Sequence, residues 1–221
     1  MQTQLNLNKI IDIKLYFKFY LIALGIFAIF WLYIKHEVGN DSTISEWIIN
    51  YQGGFTRRGL PGEIAFHIAQ ILNLKLRFII FIFQSVTYVV YLYLIYQFFK
   101  NFRYNLILIF AFFTPIFLIY HLAELEVLAR KELFMFIGML WFYNVSKKND
   151  GVINSILWVI FILPIVSILY EPAAFYYSFF AAVLIIKFRN ENLLKIILIL
   201  LLCFIPSLIA SWFRNIQSVQ I

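Results

Sequence analysis

The sequence predicts an all-α fold, a polytopic transmembrane helix bundle of about seven spans. The first observation behind this prediction is the composition: of 221 residues, 63% are hydrophobic and 13% are charged, and the mean hydropathy is +0.87. A soluble domain is closer to half apolar and a quarter charged. The second observation is that the apolar residues form long runs separated by short polar segments. Lipid is therefore the expected solvent.

The remaining composition excludes several other classes of protein. The single cysteine, Cys203, lies inside an apolar run, so neither a disulfide framework nor a thiolate metal site is expected. The net charge of +7 fits loop lysines and arginines that face anionic lipid head groups, and no nucleic-acid partner is expected. The three histidines, His36, His67 and His121, are not spaced as metal ligands, and no metal site is predicted from them.

Seven apolar runs are the predicted spans. They cover residues 17–34, 78–99, 105–120, 134–145, 152–169, 173–186 and 193–213. The fifth and sixth come from one stretch, residues 152–186, which would be about 52 Å long as a single helix and so too long to cross once. Glu171 and Pro172 are expected to divide it into a hairpin. Five or eight spans remain alternatives to seven.

The other segments complete a single transmembrane domain over residues 1–221. Residues 1–16 are predicted to be a short cytoplasmic tail, and the first run lacks a cleavage site, which favours a retained signal anchor. Residues 36–77 form a long first extracytoplasmic loop, in which residues 61–74 predict an amphipathic helix along the membrane surface. Because the chain stops soon after an apolar run, it could be part of a longer protein.

The charges favour a cytoplasmic N-terminus. With that orientation the cytoplasmic tail and loops carry the excess of lysine and arginine. Eight of the eleven acidic residues then fall on the opposite face, beside a similar number of bases. Such an acid-rich face over an apolar bundle is the expected location of a functional site.

The longest polar run, residues 47–62, is the first candidate site. It contains Gly53 and Gly54, followed at once by Arg57 and Arg58. Flexible backbone next to guanidinium groups suits an anion, above all a phosphate. The alternative interpretation is a glycine turn with two solvated arginines.

Three acids follow the first span, Glu37, Asp41 and Glu46. One of them could act as a general base toward a sugar hydroxyl, or hold a divalent cation (Mg or Mn) that balances a diphosphate. The alternative is that all three are ordinary solvated residues. No dedicated metal site is predicted, and the cofactor stays unknown.

A charge-rich segment, residues 121–132, lies between two apolar runs. Its candidate substrate-binding residues are His121, Glu124, Glu126, Arg130 and Lys131. On a continuous helix, Glu126 and Arg130 would form an i,i+4 pair. Ionisable groups at membrane depth are usually functional, whereas at the interface they would form an ordinary polar turn. Glu171 is open to the same two interpretations.

The order of these parts resembles the integral-membrane glycosyltransferases of the GT-C class, which use polyprenyl-phosphate sugars. The resemblance rests on the first span, the acids Glu37 and Asp41, the helix that starts at Pro61, and the later spans. It implies that Glu37 or Asp41 is the catalytic acid of the first loop. It also implies that Arg57, Arg58, Arg130 and Lys131 bind the lipid diphosphate. O-antigen-type polymerases are a neighbouring resemblance.

Three functional hypotheses follow. The leading one is an enzyme of cell-envelope glycan assembly in a bacterial inner membrane, which transfers or polymerises sugars from a polyprenyl (di)phosphate carrier on the extracytoplasmic face. The second is a transporter or flippase with an intramembrane charged path. The third is a non-catalytic subunit that requires a membrane-protein partner.

Overall fold

A computed structural model of the chain describes residues 2–38, 42–53, 58–102, 104–114, 117–124, 126–147 and 151–188, together with residues 198 and 201. Within these residues the chain is helical and contains no strand, which confirms the all-α prediction. The helices are α1 (Gln2–Glu37), α2 (Ser42–Ile48), α3 (Leu60–Leu72), α4 (Leu76–Phe99), α5 (Leu106–Phe113), α6 (Tyr120–Ala123), α7 (Glu132–Ser146), α8 (Gly151–Leu169) and α9 (Tyr177–Phe188).

Two of these helices are long and apolar enough to cross a membrane. They are Ile13–Glu37 within α1, with a mean hydropathy of 2.0, and Leu76–Phe99, with a mean hydropathy of 2.1. Both coincide with predicted spans. Helices α7, α8 and α9 are apolar but shorter, so a count of seven spans stays a prediction. The predicted last span, residues 193–213, lies outside the described residues except for Leu198 and Leu201.

Contacts between residues divide the chain into two compact units. Unit 1 comprises Met1–Glu46 and Arg77–Arg130, and unit 2 comprises Trp47–Leu76 and Lys131–Ile221. Each unit therefore combines a part of the predicted first loop with later helices. The prediction of one transmembrane domain stays a prediction.

In unit 1, α1 and α4 pack side by side and antiparallel. Contacts pair residues whose numbers rise on α1 as they fall on α4: Phe17 with Phe99, Gly25 with Leu92, and Tyr33 with Phe81. The buried side chains of α4 include Ile80, Tyr88 and Leu92, which lie on one face of the helix at spacings of four and eight residues. The two candidate membrane helices are thus each other's neighbours.

The predicted span at residues 105–120 is not one continuous helix, and whether this stretch crosses the membrane stays a prediction. Helix α5 ends at Phe113, and Thr114 has extended backbone. A residue before a proline is disfavoured in the helical region, and Pro115 follows Thr114. The eight residues of α5 rise about 12 Å, too short to cross a membrane. Helix α5 packs on α1 near its middle, where the rings of Phe17 and Phe112 stack at 4.5 Å.

In unit 2, helices α7, α8 and α9 share one core. The rings of Phe142, Trp158 and Phe180, one from each helix, lie 5.1 to 5.4 Å apart. Helix α8 ends at Leu169 and is followed by a 3₁₀ helix, Glu171–Tyr176, before α9 begins. The predicted break at Glu171 and Pro172 is confirmed, and α9 folds back onto α8.

Helix α3 occupies almost the whole stretch predicted as amphipathic. Its C-cap, Asn73, has φ 52 and donates its backbone N–H to the last turn. The buried residues are small, namely Pro61, Gly62, Ala65 and Ala69, whereas Ile71 is 80% exposed. The predicted apolar face is therefore divided. Its small residues pack on the protein, whereas Ile64, Ile71 and Leu72 are exposed. A location along the membrane surface stays a prediction.

Candidate functional site

The polar run before α3 is folded around the carboxylate of Glu63. Glu63 Oε2 accepts a hydrogen bond from the backbone N–H of Tyr51 at 2.8 Å, and Oε1 accepts one from Gln52 Nε2 at 2.8 Å. His67, one helical turn later, places Nε2 3.0 Å from Oε1. One carboxylate in the first turn of α3 thus fixes the turn that leads into Gly53.

These contacts lower the pKa of Glu63. The largest cause is the backbone hydrogen bond from Tyr51, and the contacts with Gln52 and His67 act in the same direction. Because the native pKa lies below the ordinary value of 4.5, the ionised form is the one that the fold stabilises. This stabilisation is complete above about pH 4.5 and is lost as the pH falls through the lowered native value.

We therefore expect the amide of Tyr51 to lose protection on acidification. The protection factor, measured by hydrogen exchange and corrected for the intrinsic rate, should fall several-fold between pH 5 and pH 3. In Glu63→Gln it should be low and nearly constant over the same range, since the titrating group is gone. Equal protection factors in the two proteins at every pH would contradict this role of Glu63.

The first turn of α3 is in close backbone contact with the end of α2. A Cβ atom added to Gly62 would lie 2.1 Å from the carbonyl oxygen of Ile49 and 2.6 Å from that of Trp47. Trp47 itself is buried, and its ring lies 5.4 Å from that of Phe134. Glycine at position 62 thus allows the backbone of α3 to approach that of residues 47–49. This close approach brings Glu63 within hydrogen-bond distance of Tyr51.

Arg58 is held on both its backbone and its side chain. Its φ is 57, a left-handed conformation that is uncommon outside glycine. Its carbonyl oxygen accepts a hydrogen bond from Lys131 Nζ at 2.5 Å, and Lys131 is fully buried. Its guanidinium carbon lies 5.0 Å from the centroid of the Tyr170 ring, within the range of a cation–π contact. We refer to Arg58, Lys131 and Tyr170 together as the Arg58 site.

The guanidinium of Arg58 is the cationic group of this site. Within the described residues, the Arg58 guanidinium contacts no carboxylate. A left-handed residue costs roughly 1 kcal/mol or more and persists where surrounding contacts impose it, which is common at binding sites. A pre-positioned guanidinium can donate two parallel hydrogen bonds to a phosphate. Arg57, the other predicted arginine, lies outside the described residues.

The three predicted acids of the first segment have different environments. The side chain of Glu37 is 76% exposed at the end of α1. Glu46 forms an ion pair with Arg130, with Oε1 and Nη2 2.7 Å apart. Asp41 lies outside the described residues. Of these three acids Glu37 is therefore the described one that is largely exposed, with Oε1 4.0 Å from His36 Nε2, whereas Glu46 is engaged by Arg130.

The charge-rich segment does not form one helix. The predicted i,i+4 pair between Glu126 and Arg130 is wrong, because residues 126–129 form turns and Ala129 has φ 55, which a right-handed helix does not admit. Arg130 pairs with Glu46 of unit 1 instead. Glu124 and Glu126 are both exposed. For Glu171 the structure describes only the backbone, at the start of the 3₁₀ helix.

His121 lies in a buried polar cluster of unit 1 that the sequence did not reveal. Its ring meets those of Tyr88 and Tyr91 edge-on, with centroids 6.4 and 5.9 Å apart. Among the described residues, His121 Nδ1, Tyr88 OH and Gln84 Nε2 are buried without a hydrogen-bond partner. Gln84 and Tyr88 lie one turn apart near the middle of α4.

No described residues form a metal centre: within them, no group of three His, Cys, Asp or Glu side chains lies close enough to hold an ion. Asp41 and the side chain of Glu171 fall outside that part of the chain. The divalent cation that a diphosphate would bring stays a prediction.

Several residues of the candidate site were missed at the level of the sequence. Tyr170 and Glu63 are the residues missed, and for Lys131, which was predicted, only its burial was missed; all three features depend on contacts between distant segments. The single local signal is the spacing of Glu63 and His67, four residues apart on a predicted helix.

Comparison with known proteins adds no family assignment. No family model matches the chain, and neither a curated protein nor a solved structure matches it significantly.

Proposed function

We propose that the protein is a multi-pass membrane enzyme of cell-envelope glycan assembly, which binds a polyprenyl (di)phosphate sugar at the Arg58 site. The observation that carries this proposal is the guanidinium of Arg58, oriented by Tyr170 and without an acidic partner in the described part of the chain. A phosphate is the ligand that such a group binds best. The apolar composition supports a lipid-borne carrier.

The reaction would be a glycosyl transfer. The proton of the acceptor hydroxyl passes to a general base, for which Glu37 and Asp41 stay the predicted candidates, and the hydroxyl oxygen attacks the anomeric carbon of the sugar. The bond from that carbon to the phosphate oxygen breaks, and the polyprenyl (di)phosphate leaves with its electron pair. Arg58 stabilises the negative charge that develops on the leaving phosphate. Glu46 is less suited as the base, because it is paired with Arg130.

The proposal also includes a location and an orientation. The bacterial inner membrane, a cytoplasmic N-terminus, seven spans and an interfacial helix α3 are all parts of it. The outward-facing large apolar residues of α3, such as Ile64 and Ile71, support contact with a lipid surface.

Photo-crosslinking tests this proposal. A polyprenyl phosphate with a diazirine near its phosphate, irradiated with the protein in nanodiscs, should label peptides that contain residues 51–63 or Tyr170. Excess undecaprenyl diphosphate sugar should compete for this labelling, and an anionic phospholipid should not. Labelling that spreads over the apolar helices and resists competition would contradict the proposal.

A transport function is the second candidate, and one observation favours it. Gln84, Tyr88 and His121 bury unpartnered polar atoms beside the middle of a candidate membrane helix. Polar groups at membrane depth are costly and usually mark a substrate or ion path. In the same experiment, competed labelling of peptides around Gln84 and Tyr88, with none near Arg58, would favour transport.

A further inference from the structure

A groove between α1 and α4 runs along the two candidate membrane helices. It has a volume of about 320 Å³, and its lining is almost wholly apolar. Gly25 opens it on the side of α1, where a Cβ atom would already touch Leu92 at 3.4 Å. Ile22 and Ile26 on α1 are 46% and 66% exposed along its rim.

One end of the groove is polar and basic. Lys18 lines that end from α1 and Tyr96 from the antiparallel α4, whereas Tyr93 lines the groove further along, near the level of Gly25. Lys18 is exposed and has no hydrogen-bond or ion-pair partner among the described residues. Lys18 lies near the start of the apolar part of α1, Ile13–Glu37. A lysine beside a tyrosine at such a position is typical of the level of lipid head groups.

The length of the groove matches one leaflet. From Lys18 to Ile29, the lining residues of α1 rise about 16 Å. This is close to half of the roughly 30 Å hydrocarbon thickness of a bilayer. A single hydrocarbon chain that enters at Lys18 would therefore reach the depth of the bilayer midplane.

We propose that this groove binds one acyl chain of an anionic phospholipid, whose phosphate pairs with Lys18. The lipid comes from the leaflet on the N-terminal side of α1. The acyl chain covers the exposed apolar rim, and the lysine selects the charge of the head group. Lys18 lies 19 residues before Glu37 on α1, a rise of about 28 Å, so this site is separate from the proposed catalytic acid.

Native mass spectrometry of the full chain, released from nanodiscs with equal amounts of phosphatidylglycerol and phosphatidylcholine, tests this proposal. The wild-type protein should retain one phosphatidylglycerol with a preference of roughly fivefold over phosphatidylcholine. Lys18→Gln should still retain a lipid, but its preference should fall to about one. Ile22→Trp, which fills the groove from its rim, should retain neither lipid.

Lys100→Gln is the matched control for the loss of charge. Lys100 directly follows α4, whose last residue Phe99 contacts Phe17, and its Nζ is already hydrogen-bonded to Gln97. The preference should be unchanged in this variant. A wild-type preference that survives in Lys18→Gln, or that Lys100→Gln lowers equally, would overturn the proposal. Displacement of the lipid by free glycerol phosphate would also overturn it, because the acyl chain would then be dispensable.

Discussion

Gly62→Ala should largely abolish the folded protein. The new Cβ atom would lie 2.1 Å from the carbonyl oxygen of Ile49 and 2.6 Å from that of Trp47. Both obstacles are backbone atoms, so no side chain can rotate away, and α2 and α3 must separate. Overpacking of a buried site typically costs about 1–3 kcal/mol, and a clash with backbone should reach the top of that range or exceed it.

The effect should be measured as the yield of monodisperse protein and its thermal midpoint in detergent. Two glycine variants serve as controls. A Cβ atom at Gly53 would meet nothing within 4 Å, and one at Gly138 would make ordinary side-chain contacts, with methyl groups of Val166 at 3.4 Å and the Trp158 ring at 3.8 Å. Both alanine variants should behave nearly as wild type. A Gly62→Ala protein as stable as Gly53→Ala would show that the contact between α2 and α3 does not exist.

The consequence of this variant for the candidate site is also specific. Gly62 precedes Glu63, whose carboxylate holds the amides of Tyr51 and Gln52. If α3 moves away from α2, these hydrogen bonds are lost even in molecules that remain folded elsewhere. The exchange protection of the Tyr51 amide should therefore already be low in Gly62→Ala at neutral pH. In the wild type we expect it to fall only at acidic pH.

The parts of the fold that the sequence predicted are those set by local patterns. Composition and run length predicted α1 and α4, because a membrane helix needs about 20 apolar residues in succession. Pro61 and the alternation of polar and apolar positions predicted α3. The division at Glu171 followed from the length of the apolar stretch and from Pro172.

The parts that could not be predicted depend on contacts between distant residues. Arg130 meets Glu46 across 84 positions of sequence, and Lys131 meets Arg58 across 73. The i,i+4 spacing favoured Glu126 as the partner of Arg130. That pair requires a continuous helix, and the left-handed conformation of Ala129 is incompatible with one. The end of α5 at Phe113 has a local cause, because Pro115 disfavours helical backbone at Thr114.

Of the candidate site, the sequence predicted the arginines but not what positions them. The glycine-rich run predicted an anion site, which stays a prediction, and Arg58 is the arginine of that run that the structure describes. The cation–π contact with Tyr170 and the buried lysine behind the backbone of Arg58 emerge only in the folded chain. These two contacts distinguish a positioned guanidinium from a solvated one.

The most direct test of the account is a binding titration of undecaprenyl phosphate to the protein in nanodiscs. Arg58→Gln should weaken binding by about tenfold to a hundredfold, the usual effect of losing charge-assisted hydrogen bonds. Arg58→Lys should recover only part of the affinity, because an ammonium lacks the planar fork of a guanidinium. Tyr170→Leu should weaken binding less than Arg58→Gln, since it removes the ring that orients Arg58 and leaves the guanidinium in place.

Lys75→Gln is the control, since it removes one positive charge from an exposed position of the same unit. We expect saturable binding of undecaprenyl phosphate in the wild type and in Lys75→Gln, and a clear loss of affinity in Arg58→Gln. Equal affinities in Arg58→Gln and Lys75→Gln would contradict this expectation, and Arg58 would then be an interfacial residue with no role in binding the carrier lipid.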